Sequence, residues 1–180
     1  MAWTAPMTAV ANSVWTSTQY NVHVRDNLLA SEAAVVTAAG QIVFSTAANT
    51  LAARTPNSAA VATSETTSTT SYTDLATTGP QVTITTGTIA LIYVGCHMSN
   101  STIGAASYMS YGVTSATSIT ALEDWGISWD GSAFASGAAR IGAWHYVSNL
   151  NTGSNIFTAK YKVESGTGTF LNRELIVFPL

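Results

Sequence analysis

The clearest structural signal in the sequence is the stretch Asn155–Glu164, which reads NIFTAKYKVE. Every second position is apolar, and these positions are Phe157, Ala159, Tyr161 and Val163. Successive side chains of a β-strand point to opposite faces of the sheet, so this alternation predicts a half-buried strand. Its outward positions would be Thr158, Lys160 and Lys162.

Apolar or alternating runs recur on both sides of this stretch, separated by turn signals such as Asn100-Ser101, Asp130-Gly131 and Ser165-Gly166. No helical pattern lies between the runs. Strands at this spacing predict an antiparallel β-sandwich or barrel. The predicted strands are Gln81–Thr86, Ile89–Met98, Ala105–Thr114, Arg140–Ser148 and Gly168–Leu180.

The N-terminal part has a different pattern. Thr16 and Gln19 have the spacing of a capping box, and no Pro or Gly interrupts the chain from Gln19 to Ala39. Apolar residues follow at helical spacing, which predicts a helix that Gly40 ends. The apolar positions are Tyr20, Val24, Leu28 and Val35.

Two interpretations of this helix remain open. Asn21, Val24 and Leu28 occupy successive a and d positions of a heptad, as in a short coiled coil whose Asn sets the oligomeric state. The alternative is an amphipathic helix lying on a neighbouring surface. The large apolar residues Trp3 and Trp15 before it have little of their own domain to pack on, so we expect attachment or oligomerisation through this segment.

These patterns divide the chain into three parts. Residues 1–54 form the N-terminal arm and helix, including a β candidate at Gln41–Ser45 and a small helix or turn at Ala47–Ala53. Residues 55–71 are rich in Ser and Thr and contain one charged side chain, Glu65, which predicts a linker running into an extended first strand. Residues 72–180 form the β-sandwich head.

Composition narrows the function. Only 8% of the residues are charged, against about 25% in a typical protein, while 47% are hydrophobic. The six Lys and Arg residues are scattered and the net charge is −3, so no basic footprint for nucleic acid or an anionic membrane is expected. The longest apolar run, Ile89–Met98, is too short to cross a bilayer as a helix. The first residues lack the pattern of a signal peptide, so we expect synthesis in a host cytoplasm without export.

Catalytic and metal-binding patterns are weak. Cys96 is the only cysteine and lies in a predicted core strand, where its neighbour His97 would point to the opposite face. His145 is predicted to be structural. The carboxylates Glu123, Asp124 and Asp130 do not resemble a calcium loop or a glycosidase pair. We therefore expect a protein that is not an enzyme, with no metal and no cofactor.

The segment Leu122–Gly131, which reads LEDWGISWDG, is the richest candidate for ligand binding. Its aromatic and acidic residues are Asp124, Trp125, Trp129 and Asp130. Aromatic faces beside carboxylates could stack on and hydrogen-bond to a host-surface glycan. The alternative is that both Trp residues close one end of the sandwich or an interface between subunits.

Several stretches resemble structural proteins of tailed bacteriophages. At the N-terminus these are Ala2–Pro6, Val14–Thr16 and Asn21–Leu29, followed by Gly40–Phe44 and Ala47–Ala52. In the head they are Tyr72–Leu75 with Gly79-Pro80, Asn155–Tyr161 and Gly168–Arg173. The resemblance covers most of the chain and includes no catalytic motif.

The resemblance implies a virion protein: a capsid decoration, head fibre or minor tail protein with a jelly-roll-like, homotrimeric head. Its implied partners are copies of itself and phage capsid or tail proteins. A receptor- or glycan-binding tail-tip adhesin is the alternative. The chain has no collagen-like repeats or long coiled coil, which favours a compact knob over a long fibre.

Overall fold

The structure is a computed structural model that describes residues 4, 7–8, 12–29, 31, 35–48, 50–131 and 137–180. Two compact units make up the chain, Met1–Pro56 and Asn57–Leu180. The fold class is the one expected from the sequence, a mostly antiparallel β protein with a short N-terminal helical segment.

The helical segment consists of α1 (Ser17–Tyr20), a π-helical turn (Asn21–Arg25) and α2 (Asp26–Leu29). The predicted capping box is present: the Gln19 amide donates to Thr16 Oγ1 at 3.2 Å, and the Thr16 amide donates to Gln19 Oε1 at 2.9 Å. The prediction that the helix continues to Ala39 is wrong, because residues 36–40 are not helical. There the amides of Thr37 and Ala38 donate to Gln41 Oε1, so a side chain replaces the helical carbonyls.

A β-hairpin follows, formed by β1 (Ile42–Ala47) and β2 (Thr50–Arg54). The strand predicted at Gln41–Ser45 is confirmed, whereas the helix or turn predicted at Ala47–Ala53 is wrong. Phe44 is paired with Ala52, and the Arg54 guanidinium lies 5.0 Å from the centre of the Phe44 ring. Pairing with β1 therefore decides the conformation of an Ala-rich segment whose own sequence gives little preference.

The C-terminal unit contains two antiparallel sheets. The four-stranded sheet has the order β5-β10-β7-β8. The five-stranded sheet has the order β3-β11-β6-β9, with β4 also paired to β11. The strands are β3 (Asn57–Val61), β4 (Glu65–Thr67), β5 (Gln81–Thr86), β6 (Ala90–Asn100), β7 (Ser107–Ser115), β8 (Ile127–Trp129), β9 (Ala139–Val147), β10 (Gly153–Val163) and β11 (Gly168–Pro179).

Eight of the 17 residues in the expected linker at 55–71 lie in strands of the sheet. Both β3 and β4 pair with β11, so Asn57–Val61 and Glu65–Thr67 are structural strands of the head. Ser and Thr suit an edge strand because their hydroxyl groups form hydrogen bonds with water, and Thr also favours the extended backbone of a strand. The head unit therefore begins at Asn57 and not at Tyr72, whereas the N-terminal unit ends at Pro56, close to the expected residue 54.

The strand order identifies a jelly roll. The pairs β4–β11, β5–β10, β6–β9 and β7–β8 are those of one long hairpin folded at the β7–β8 connection. Rolling this hairpin brings β11 beside β6 and β10 beside β7, and both of these pairings are present. Two sheets linked in this way are the architecture of jelly-roll domains.

The core lies between the two sheets, and the predicted inward residues of β10 are confirmed. Phe157, Ala159, Tyr161 and Val163 are all buried, whereas Lys160 and Lys162 form ion pairs on the outer face. The opposite sheet contributes buried side chains of β6 and β11. These are Ile92, Val94, Cys96, Met98, Phe170, Leu175 and Val177.

A buried ion pair fixes the connection between β4 and β5. Arg173, fully buried on β11, lies 3.3 Å from Glu65 Oε2, and its guanidinium also donates to the carbonyls of Thr63 and Thr77. Glu65 in turn accepts hydrogen bonds from the amide and hydroxyl of Thr77. The hydrogen bond from the Thr77 hydroxyl, together with the amide and Arg173, holds the pKa of Glu65 below its ordinary value.

The lowered pKa of Glu65 predicts a stability that falls with acidification. A carboxyl whose pKa is depressed in the folded state stabilises the fold above its unfolded pKa, about 4.5, and this contribution is lost as the pH falls through the folded pKa. We expect Glu65→Gln to be less stable than the wild type at pH 7, with the difference shrinking below about pH 4.5. Urea unfolding between pH 3 and pH 7 measures it. A difference independent of pH would contradict the role assigned to this carboxylate.

Candidate functional site

The N-terminal unit exposes much of its apolar surface. Asn27 is the only buried residue among those described in α1, the π-helical turn and α2. The large apolar side chains around it face solvent, with Trp15 47% and Leu28 65% exposed. Val14, Tyr20, Leu29 and Val36 are exposed as well. Exposed apolar patches of this kind are typical of surfaces that contact a partner.

Asn27 explains how the arm is held to the helix. Its side-chain oxygen accepts from the Thr4 amide at 2.8 Å, and its Nδ2 donates to the Thr4 carbonyl at 2.9 Å and to the His23 carbonyl at 3.1 Å. The side-chain amide of Asn27 thus bonds both the N–H and the C=O of Thr4, as the backbone of a neighbouring β-strand would. Sequence reasoning included Asn27 in a motif but assigned it no role, because its partner lies 23 residues away.

The residues predicted for attachment have different environments. Trp15, Tyr20 and Leu28 are exposed, whereas Asn21 and Val24 are half-buried. Trp3 lies outside the described residues. The π-helical turn Asn21–Arg25 changes the helical phase within the predicted heptad, so the a and d positions do not form one straight seam. The geometry favours an amphipathic helical segment over a coiled coil.

The two Trp residues of the candidate glycan site pack against the head. The Trp125 ring stacks on His145 with ring centres 5.2 Å apart, and on Tyr111 at 5.9 Å. Trp129 packs on the core and donates from Nε1 to the Gly137 carbonyl at 3.1 Å. Asp124 and Asp130 are exposed nearby. This arrangement fits the interpretation that both rings close the sandwich, and glycan contact at this segment stays a prediction.

His145 and Cys96 have structural surroundings. The Tyr111 hydroxyl and His145 Nδ1 form a hydrogen bond, and burial lowers the pKa of this histidine. The Cys96 thiol is fully buried and donates to the His97 carbonyl at 3.3 Å; burial raises its pKa to about 12. Among the described residues, no group of three or more His, Cys, Asp or Glu is placed to hold a metal ion.

The outer faces of the two sheets differ in chemistry. Charged side chains lie on the four-stranded sheet, where Lys160 pairs with Asp74 at 2.8 Å and Lys162 pairs with Glu123. A shallow cleft of about 280 Å³ lies beside Lys160, lined by Tyr72 and the Ser118–Ala121 segment. A water-facing surface is the natural environment of these groups.

The outer face of the five-stranded sheet is apolar at one end. Six side chains from β6, β9 and β11 form it, and we call it the aromatic face: Leu91, Tyr93, Trp144, Tyr146, Ile176 and Phe178. Trp144 and Tyr146 are 53% and 56% exposed. Both lie in the strand predicted at Arg140–Ser148, but the inner and outer faces of that strand were not predicted. The signal was available, because they alternate with the inward Ile141 and Val147 and share their side of β9 with Arg140.

Comparison with known proteins assigns no family to this chain. No protein-family model matches this sequence, and no curated protein matches it either. Among solved structures, the chain is similar to one from the structure of infectious bursal disease virus, Gx strain, with 11% sequence identity and a TM-score of 0.40. The similarity covers 79% of this chain and 36% of the viral chain, and it transfers no function at this level. In the described part of the chain, no helix is long and apolar enough to cross a membrane.

Proposed function

We propose that the chain is a non-enzymatic structural protein of a virus particle, in which the N-terminal unit attaches the chain and the jelly-roll head projects from the surface. The exposed apolar surface of the helical segment carries this proposal, since Trp15, Tyr20 and Leu28 need a partner to bury them. The jelly roll agrees with it, because this architecture recurs in viral capsid proteins. The low charge also agrees, since it weakens repulsion between crowded neighbours.

The finer proposal follows the sequence resemblance. In this proposal the particle is a tailed bacteriophage, and the protein is a homotrimeric capsid decoration or head/tail spike. Its partners are the capsid or tail proteins beneath it. The chain is divided into an N-terminal unit with exposed apolar groups and a compact head, as expected of a short protein that projects from the particle surface. The adhesin alternative would place host-surface glycan recognition on the same head.

Attachment tests this proposal. We expect the double variant Trp15→Ser/Leu28→Ser, made in the full chain, to bind roughly 30- to 150-fold more weakly to phage particles that lack the protein. Burial of two half-exposed apolar side chains contributes about 2–3 kcal/mol. Co-sedimentation of the purified chain with the particles measures the binding.

Ile103→Ser provides the matched control. Ile103 is an exposed large apolar side chain of the head, so its loss should leave attachment unchanged. Equal binding of the double variant and the wild type would contradict attachment through the helical segment. An equal loss in the control variant would show that the head makes the contact instead.

A further inference from the structure

The aromatic face is an interaction surface with a definite layout. In register across three strands, Ile176, Tyr93 and Trp144 form one row, and Phe178, Leu91 and Tyr146 form the next. Gly95 and Gly142 pair in the row on the other side of Tyr93, and a Cβ on either would collide with the Tyr93 ring lying over them. The two glycines therefore allow Tyr93 to lie along the sheet, which creates a broad apolar surface.

The rings on this face are tilted relative to one another. Tyr93 and Trp144 have ring centres 5.1 Å apart with planes at 53°, and Trp144 and Phe178 are 5.5 Å apart at 60°. A sugar ring stacks best on a flat, exposed aromatic plane flanked by free hydrogen-bonding groups. Tilted rings with aliphatic neighbours instead present ridges and grooves, which suit interdigitating protein side chains.

At its polar end, the same face has a hollow that could receive an aromatic side chain. This hollow of about 200 Å³ is lined by Ala60, Arg140 and Glu174, among others. The guanidinium of Arg140 is about half exposed and pairs with Glu174 at 3.1 Å, so an aromatic ring entering the hollow could stack on a cation whose charge is already balanced. The rings lie at one end of this face and the hollow lies at the other, so the rings of one copy can meet the hollow of the next, as the head-to-tail contacts of a closed trimer require.

The position of β9 extends this surface to the margin of the sheet. Along its nine residues β9 pairs with β6 without a register shift, and in the described part of the chain no other strand pairs with it. A long, regular edge strand with exposed aromatic side chains is a site of association unless something covers it. The low overall charge leaves little repulsion to keep copies apart.

We infer that the aromatic face is the surface through which the head binds a second copy of this chain, with Trp144 and Tyr146 as its principal contacts. This inference deepens the proposed function, because it names the surface that holds the copies of the oligomer together. Attachment to a particle depends on a different surface, so either proposal can fail while the other stands.

A cysteine footprint on the full chain tests the inference. Ser58 is exposed on β3 and lies in the row of Ile176, Tyr93 and Trp144, so Ser58→Cys places a thiol on the face with little change in size. Native Cys96 is buried with a raised pKa and provides no background at neutral pH. Ser128→Cys, exposed on β8 of the other sheet, is the matched control.

We expect the Ser58→Cys thiol to react with a maleimide at least about tenfold more slowly at high protein concentration than after dilution, while the Ser128→Cys thiol reacts equally at both. Adding Trp144→Thr and Tyr146→Thr should raise the dissociation constant of the oligomer at least about 30-fold, the loss typical of an aromatic hot spot. Sedimentation velocity measures that constant. Ile103→Thr should leave it unchanged.

Three outcomes would overturn the inference. A chain that is monomeric at micromolar concentration excludes the second copy and leaves particle attachment untouched. Protection of the Ser58→Cys thiol that does not depend on concentration would mean that the chain covers its own face. Slower labelling of a monomer only after addition of host-surface polysaccharide would assign the face to sugar.

Discussion

Arg173→Ala is expected to lower the free energy of unfolding of the head by about 3–5 kcal/mol. The guanidinium is fully buried, and its loss removes the positive charge paired with the Glu65 carboxylate, which keeps only its hydrogen bonds from Thr77. The hydrogen bonds from Arg173 to the carbonyls of Thr63 and Thr77 are lost as well. Its guanidinium carbon also lies 5.4 Å from the centre of the Tyr161 ring, so the substitution removes packing as well as charge. Urea unfolding at pH 7, followed by tryptophan fluorescence, measures the change.

Arg140→Ala is the matched control for this prediction. Arg140 also pairs with a glutamate, but its side chain is about half exposed, and such surface pairs contribute about 0–1 kcal/mol. The double variant Arg173→Met/Glu65→Leu should recover much of the loss, because apolar groups can replace a buried pair when both charges are removed. Equal costs for Arg173→Ala and Arg140→Ala would contradict the importance given to burial.

Val177→Asp is expected to prevent the head from folding. Val177 is fully buried on β11, which pairs with β3, β4 and β6. An unpaired carboxylate there must be desolvated or protonated, and either cost is comparable to the whole stability of a typical domain. Loss of the near-ultraviolet circular dichroism signal and of a cooperative melting transition would show this.

The adjacent residue provides the control. Ile176→Asp introduces the same charge on the same strand but on the outer face, where it should cost about 1 kcal/mol and leave the fold intact. If Ile176 belongs to the contact between copies, this variant should fold but associate more weakly. Two folded variants, or two unfolded ones, would show that the assignment of inner and outer positions on β11 is wrong.

Local patterns were sufficient to predict most strands of the head. The alternation of Phe157, Ala159 and Tyr161 placed β10 and its buried side correctly, because an alternating pattern requires only neighbouring residues. The same is true of the capping box, whose residues Thr16 and Gln19 are three positions apart. Where a segment had no strong local preference, as in β2 (TLAAR) and β3 (NSAAV), the prediction was wrong.

The candidate sites were harder to predict than the fold. Sequence reasoning identified Trp15, Tyr20 and Leu28 as apolar groups in need of a partner, and their exposure agrees with that need. It gave the greatest weight in the head to Trp125 and Trp129, whereas the exposed rings are Trp144 and Tyr146. Alternation along β9 indicates that Trp144 and Tyr146 face outward, but only the packing of the sheets shows that Trp125 and Trp129 lie against the core.

By itself, the sequence determined that this protein has a β-rich head and which residues alternate across its strands. It also determined that a helix begins after Thr16, its N-cap. Tertiary structure alone decided the jelly-roll strand order, the pairing of Glu65 with Arg173 across 108 residues, and the grouping of Tyr93, Trp144 and Phe178 on one face. The physical reason is the range of the interactions. Strand alternation and helix capping act between neighbours in the chain, whereas a sheet joins residues whose separation no local pattern records.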